Sequence, residues 1–266
     1  MPGFEREYYN QAELWKNELL NIPEERERIR KTIDLIPYDV KTILDAGCGN
    51  GTFLNTISNE YEVIGLDSSE EALKYVKTTA ILGDISRMPF EAESFDLVTC
   101  LEVLEHLPLD IYKSALVELQ RVSRKYIIIS VPNSEDLDFQ LVICPSCRCW
   151  YNPNRHLRSF DLAKMKTLFE HFSLDKIQEV GPLDSLPRYN RYLFAAYRLW
   201  RSNLPPNTAV CPMCGYKVES DRKYDTATFS NGPKHYIIKP IKLFARLIWR
   251  PYYKRRWLLA RYQRQT

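Results

Sequence analysis

KTILDAGCGNG, residues 41–51, changes character halfway along its length. Its first half is a short apolar run, the pattern of a strand buried on both faces. Its second half alternates glycine with other residues, at positions 47, 49 and 51. Glycine there lets backbone approach a ligand closely. NGTFLNTISNE, residues 50–60, reads as the helix that follows. Strand, glycine turn and helix is the arrangement that binds nucleotides at the carboxyl edge of a parallel sheet.

Working outward, strands and helices alternate. YEVIGLD (61–67) is a strand, and SSEEALKYVKTT (68–79) a helix capped by Ser68 or Ser69 with acids behind. TAILGD (79–84) is a strand edge, FDLVTCLEV (95–103) a strand, LDIYKSALVELQRVS (109–123) a helix and KYIIISVPN (125–133) a strand. SFDLAKMKTLFEHF (159–172) is a helix capped by Ser159, and SLDKIQEVG (173–181) a strand. Such alternation means βαβ units, hence an α/β fold with a doubly wound, mostly parallel sheet. Residues 4–35 read as helical, broken at Pro23, with Pro37 ending the second helix. After Gly181 the alternation stops. A Tyr/Arg-rich helical stretch (190–201), a Pro-Pro break, CPMCG (211–215) and a basic amphipathic stretch (241–250) precede RRWLLARYQR (255–264), read as the last of seven strands. The expected division is a helical cap over 1–37, a nucleotide-binding core over 38–180, an insertion over 181–255 with its first half-knuckle at 144–149, and a closing strand over 256–266.

The totals narrow the class. The chain has 266 residues, 45% apolar and 27% charged, ordinary globular values. It contains no run of about 18 apolar residues, which argues against a membrane span. MPGFEREYYN carries neither the basic nor the apolar region of a signal peptide, so the expected location is cytoplasmic.

The glycine spacing separates two cofactor classes. A dinucleotide fingerprint wants glycine or alanine at the sixth position, and counting from Gly47 that position is Thr52. Asp45 precedes the loop, Asp67 ends the next strand and Asp84 ends the third. A carboxylate at Asp67 can accept from both ribose hydroxyls, and one at Asp84 from an adenine amino group. A diphosphate prefers a helix N-terminus without a carboxylate beside it. Three acids at three strand ends suit an adenosine whose other end is cationic, and S-adenosylmethionine fits.

ILDAGCGNG, VIGLDSS, ILGDISRMPFEAESFDLVTCLEVLEHL and IIISVPN, in that order, resemble the successive motifs of class I S-adenosylmethionine-dependent methyltransferases. The resemblance covers residues 38–135 and, more loosely, the chain to 180. It implies the seven-stranded Rossmann-like methyltransferase fold. It also implies Asp45, Gly47 and Gly49 near the methionine part, with Cys48 and Gly51 in the same loop. Asp67 and Ser68 would meet the ribose, Asp84 and the Ile85 backbone the adenine. Cys100, Leu101 and Glu102 would close over the sulfonium. Glu102, Glu105 and His106 form E-x-x-E-H, which resembles the quinone-biosynthesis O-methyltransferases, where such residues can hold a divalent ion near a hydroxyl. The alternative is that the histidine simply lines the pocket. His106 also suits proton removal at neutral pH. His156, in RHLRSFD, stands in a loop following the fifth strand, where methyltransferases of this type carry a similar stretch; it is expected at the acceptor, with a metal-ligand role as the alternative.

The acceptor follows from the pocket rather than from the motifs. TCLEV stands where amino-group nucleic-acid methylases carry Asn/Asp-Pro-Pro-Tyr, which argues against a base amino group. Cys100 lacks the flanking residues of a cytosine C5 nucleophile and reads as a buried structural thiol. The expected acceptor is a hydroxyl of a small molecule, glycan or lipid-linked precursor.

Five of the seven cysteines fall in two clusters, CPSCRC at 144–149 and CPMC at 211–214. Two C-x-x-C pairs supply four thiolates for Zn(2+), through Cys144, Cys147, Cys211 and Cys214. The 63 residues between the pairs are too many for a short-loop finger and suit a clasp between distant loops, read as a lid over the donor. Redox pairs and disulfides are the alternatives, and Cys149 could stand in as a ligand. Residues 231–266 hold ten Lys or Arg and no acid. Peripheral membrane contact through residues 241–257, RNA phosphates, or packing with a solvated face are the readings of that segment. Two rival functions remain open: an RNA methyltransferase gripping nucleic acid through knuckle and tail, and a non-catalytic zinc-bearing binding protein with a methylase-like domain.

Overall fold

The computed structural model describes residues 8–16, 19–138, 140–186, 205, 209–217 and 252–265. The helix expected over 190–201 and most of the basic segment 241–257 lie outside these residues. The chain divides into two compact units, the first of residues 1–137, 155–182 and 255–266, the second of 138–154 and 183–254.

The first unit is built on a seven-stranded sheet of β1 (Thr42–Ala46), β2 (Glu62–Asp67), β3 (Thr79–Leu82), β4 (Phe95–Leu101), β5 (Ser123–Pro132), β8 (Phe172–Leu186) and β9 (Tyr252–Arg264). The strand order is β3-β2-β1-β4-β5-β9-β8. β1 pairs parallel with β2 and β4, β2 with β3, and β4 with β5, while β9 runs antiparallel to β5. The order reverses between β1 and β4, and a doubly wound sheet opens its crevice there, at the carboxyl edge.

Alternation along the strands divides the core. Leu44, Val98, Ile127, Ile129, Leu258 and Ala260 pack one face beneath α5 (Leu109–Val122), and α6 (Leu162–Lys166) lends Met165. Ile43, Leu97, Ile128 and Leu259 pack the other, against Ile29 of α2 (Pro23–Ile33) and Phe53, Leu54 and Ile57 of α3 (Thr52–Ile57). Strands flanked on both sides bury successive residues, and β4 is buried from Phe95 through Cys100 without a break.

Element types agree with expectation and several boundaries do not. Among the described residues the N-terminal helical region is broken, with α1 (Ala12–Trp15) and a 3-10 turn at Leu19–Asn21 ahead of α2. The helix after β2 is a single turn, α4 (Glu70–Leu73), capped by Ser69, whose Oγ accepts from the Ala72 N–H at 3.1 Å. The cap of α6 is Asp161, which accepts from the Lys164 N–H at 2.8 Å, and not Ser159. Asp is as good a cap as Ser, and Asp161 directly precedes the helical run. β9 begins at Tyr252, earlier than read. Among the described residues no helix is long and apolar enough to cross a membrane.

In the second unit β6 (Val142–Ile143) and β7 (Trp150–Tyr151) form an antiparallel hairpin.

Candidate donor and acceptor site

A cavity of about 330 Å³ opens at the carboxyl ends of β1 to β4 in the first unit. The loop after β1 forms its floor. Gly47 and Gly49 take φ of +84° and +52°, a region that disfavours any side chain. A Cβ on Gly47 would stand 2.5 Å from Val103, and one on Gly49 2.9 Å from the Trp15 ring. The loop is held from below by the N–H groups of Gly47 and Cys48, which both donate to the Leu66 carbonyl, at 2.7 and 3.1 Å.

Asp67 is locked into place. Its Oδ2 accepts from the Gly49 N–H and its Oδ1 from the Ser69 N–H, each at 2.8 Å. Burial raises its pKa against the lowering effect of these bonds. Asp45 is buried, and Thr99 Oγ1 donates to its Oδ1 at 2.6 Å. Burial lifts the Asp45 pKa to about 7, the Thr99 bond opposes this and the nearby Asp67 charge adds to it. Asp84 lies exposed at the rim, fixed by the N–H and Oγ of Ser86 at 2.8 and 2.7 Å, with buried Ile85 behind it. Cys48, Ser68 and Leu101 also face the cavity.

Glu102 sits at the end of β4 with φ +55°, an uncommon backbone for a residue with a Cβ. Its N–H donates to the Ser130 carbonyl at 2.9 Å, and Ser130 Oγ donates to its carboxylate. Burial raises its pKa, with Arg28 opposing. Arg28 was not singled out by the sequence. It looked like one more charge in PEERERIRKTI, but it is only 6% exposed and lines the cavity from α2. Its Nη2 donates to Glu25 Oε2 at 2.7 Å, and its guanidinium lies 5.5 Å from the Trp257 ring centroid. Burial works against its charge, but Glu102 and Glu25 outweigh that and raise its pKa. Tyr9 and Trp15 were missed too. Trp15 Nε1 donates to the Tyr9 carbonyl at 2.6 Å, Asn50 Nδ2 donates to the Trp15 carbonyl at 3.1 Å, and Ser69 Oγ to the Tyr9 carbonyl at 2.7 Å, so residues 9–15 cover the glycine loop.

Beside the glycine loop's cavity stands a histidine pair. His106 lines the cavity and His156 lies behind it, their rings edge to face with centroids 4.7 Å apart. His156 Nδ1 meets Glu135 Oε2 in a short contact. The loop that carries His156 is pinned to the chain before His106: the Leu157 N–H donates to the Glu105 carbonyl at 2.7 Å, and Arg158 to the Leu104 carbonyl. Glu105 is buried with neither carboxylate oxygen hydrogen-bonded. Burial, then the Glu102 charge, push its pKa well above the carboxylate range. Ligand atoms of Glu105, His106 and His156 lie within 4.8 Å of one another. Besides His156, two expected residues stand apart from the cavity: Cys100 is fully buried, and Gly51 packs against Val76 at the start of α3.

Residues 43–126 match the family model described as methyltransferase domain. An uncharacterised protein of Methanocaldococcus jannaschii is 37% identical over 146 residues, covering 53% of this chain and 62% of that one. A ubiquinone biosynthesis O-methyltransferase of Neisseria meningitidis is 31% identical over 81 residues, covering 26% of this chain and 34% of that one. The chain thus spans less than two thirds of the length of either relative. Among solved structures, one described as a SAM dependent methyltransferase from Archaeoglobus fulgidus superposes with a TM-score of 0.50 at 16% identity, over 98% of both chains, a likeness of fold alone.

Proposed function

We propose an activity for a chain that belongs to the class I S-adenosylmethionine-dependent methyltransferases: it moves a methyl group from S-adenosylmethionine to a hydroxyl of a small molecule, glycan or lipid-linked precursor. The observation that carries this is the cavity itself, which sets Asp45, Asp67 and Asp84 at three successive strand ends around a glycine loop. The residues fit the donor. Trp15, which also lines the cavity, packs so closely on the loop that a Cβ on Gly49 would stand 2.9 Å from its ring. Arg28 would meet the donor's carboxylate, Asp45 its ammonium, Asp67 the ribose hydroxyls and Asp84 the adenine edge.

S-adenosylmethionine supplies a methyl group on a cationic sulfonium, which leaves as a neutral thioether. The protein's part is positioning and proton removal. His106, which lines the cavity, would take the proton that the acceptor hydroxyl gives up on methyl transfer. His156, oriented by Glu135, holds the His106 ring edge to face. Glu102 and Ser130 set the wall beneath the sulfonium. The likeness to the ubiquinone-pathway enzyme supports oxygen over nitrogen as the acceptor atom. Zn(2+), the other cofactor we propose, has its site among the cysteines of the second unit.

The test is calorimetric titration of the purified protein with S-adenosylmethionine, followed by a screen of hydroxyl acceptors for S-adenosylhomocysteine formation. Donor binding that Asp67→Ala leaves untouched would end this reading.

A further inference from the structure

The two cysteine clusters fold into the same hairpin twice. In the first, the Cys144 N–H donates to the Cys149 carbonyl at 2.9 Å and the Arg148 N–H to the Cys144 carbonyl at 3.0 Å. In the second, the Cys211 N–H donates to the Tyr216 carbonyl at 2.9 Å and the Gly215 N–H to the Cys211 carbonyl at 3.0 Å. The residue after each second cysteine takes a left-handed backbone, Arg148 at φ +64° and Gly215 at φ +69°. Ile143 pairs antiparallel with Trp150, and Val210 with Lys217, the same offsets from the first cysteine. Cys144 and Cys211 are buried, Cys147 and Cys214 exposed. Position for position, the two turns are copies.

These turns face each other. Cys144 Sγ lies 3.7 Å from Cys214 Sγ, and Cys147 Sγ 3.6 Å from Cys211 Sγ. All four sulfurs fall within 4.8 Å of one another. A disulfide needs about 2.05 Å. Four thiolates at about 2.3 Å from a tetrahedral Zn²⁺ stand about 3.8 Å apart along each edge. The observed cross-pairs match that edge. In addition, the Cys147 N–H points at Cys144 Sγ at 3.5 Å, the orientation a thiolate ligand favours.

We infer that Cys144, Cys147, Cys211 and Cys214 form a closed four-thiolate Zn²⁺ site that joins two sequence-distant hairpins into one split zinc ribbon. Cys149 is outside the ligand set. Its Sγ comes within 3.3 Å of Cys211 Sγ, but in the repeated hairpin it occupies the position of Tyr216, which closes the turn through its carbonyl. Among the described residues, Val142, Cys144, Tyr151, Ala209 and Cys211 form the buried cluster around the site. Metal bound to the folded hairpins contributes directly to their stability. With four protein ligands the site has no open position, which makes the ion structural.

The experiment is elemental analysis of the full chain, purified under reducing conditions without chelator, with donor titration on the same sample. One zinc per chain is expected. Cobalt exchanged into the same protein should show the intense sulfur-to-metal absorption and visible bands of a tetrahedral four-thiolate centre. Cys149→Ser should keep one metal, and Cys214→Ser should lose at least tenfold in retention. Absence of metal with no cobalt uptake overturns the site, as does iron in its place. Loss of metal from Cys149→Ser overturns the ligand assignment. After metal removal, seven free thiols in the denatured unreduced chain support the site, and fewer point to disulfides and overturn it. The cobalt spectrum of the unaltered protein decides the matter even if Cys214→Ser fails to fold. Donor binding without metal would leave the methyltransferase reading standing.

Discussion

The Gly49 N–H donates to Oδ2 of Asp67 at 2.8 Å, so the end of β2 fixes the shape of the loop after β1. Two neighbouring strand ends are thereby made into one receptor. Asp67→Ala removes the loop's anchor and, with it, the proposed ribose acceptor. Donor affinity is expected to fall about a hundredfold, the sum of two charge-assisted hydrogen bonds at about 1.5 kcal/mol each. Asp67→Asn keeps one acceptor oxygen and should lose less. Calorimetric titration of both variants checks the order.

Asp45 gives a pH dependence with a definite sign. Its folded pKa stands at about 7, above the ordinary 3.8. The folded protein therefore holds a proton there that the unfolded chain releases. The stabilisation from this group is complete below pH 3.8 and disappears as pH rises to 7, about 4 kcal/mol at the ceiling. Asp45→Asn should raise the melting temperature at pH 8. The proposed pairing with the donor's ammonium, in contrast, needs the ionised carboxylate. Donor affinity should weaken as pH falls below 7, and Asp45→Asn should flatten that slope. Melting curves and titrations at pH 6 and 8 test both halves.

Arg28 is surrounded by Glu25, Glu102 and Glu105 in a buried setting. Arg28→Met leaves those carboxyls without their counter-charge, which costs roughly 3–5 kcal/mol. Urea unfolding should show it as a lower midpoint. Arg28→Lys retains the charge and should recover much of the stability but less of the donor affinity, because a single ammonium cannot fork to a carboxylate.

His106 and His156 predict a split between binding and turnover. His106→Ala should lower kcat by about a hundredfold or more with donor Kd unchanged. Glu135→Gln should lower kcat less and shift its pH profile, since the amide no longer holds His156 at Nδ1 as a carboxylate does. An equal loss in Kd for either variant would place these residues in the donor site instead.

Much of this was legible in the sequence for reasons of backbone. A loop that bends through positive φ at 47 and 49, where any Cβ would come within 3 Å of Val103 or Trp15, must be glycine, so it shows in the sequence. Asp45, Asp67 and Asp84 showed because strand ends in a parallel sheet converge. What did not show is what depends on tertiary distance. Arg28 lies 19 residues ahead of Gly47 on a helix crowded with charge, and only packing reveals which charge turns inward. Gly51 and Cys100 shared the motif but serve packing, against Val76 and in the core. Glu135 acquired meaning only when the fold brought it to His156, 21 residues later. Asp161 displaced Ser159 as a cap because the helix begins one turn later than its apolar rhythm suggests.

β9 lies between β5 and β8 although it is made last of the three. β8 therefore leaves the ribosome about 65 residues before the strand that ties it to the sheet. Until β9 arrives, both β5 and β8 offer an unpaired edge, and an open edge invites another chain. Tyr126 to Pro132 are the residues that wait, Gln263 to Trp257 the ones that relieve them. Slow translation or premature termination between the two strands should thus show itself as aggregation of the nascent protein, before any loss of catalysis could be measured.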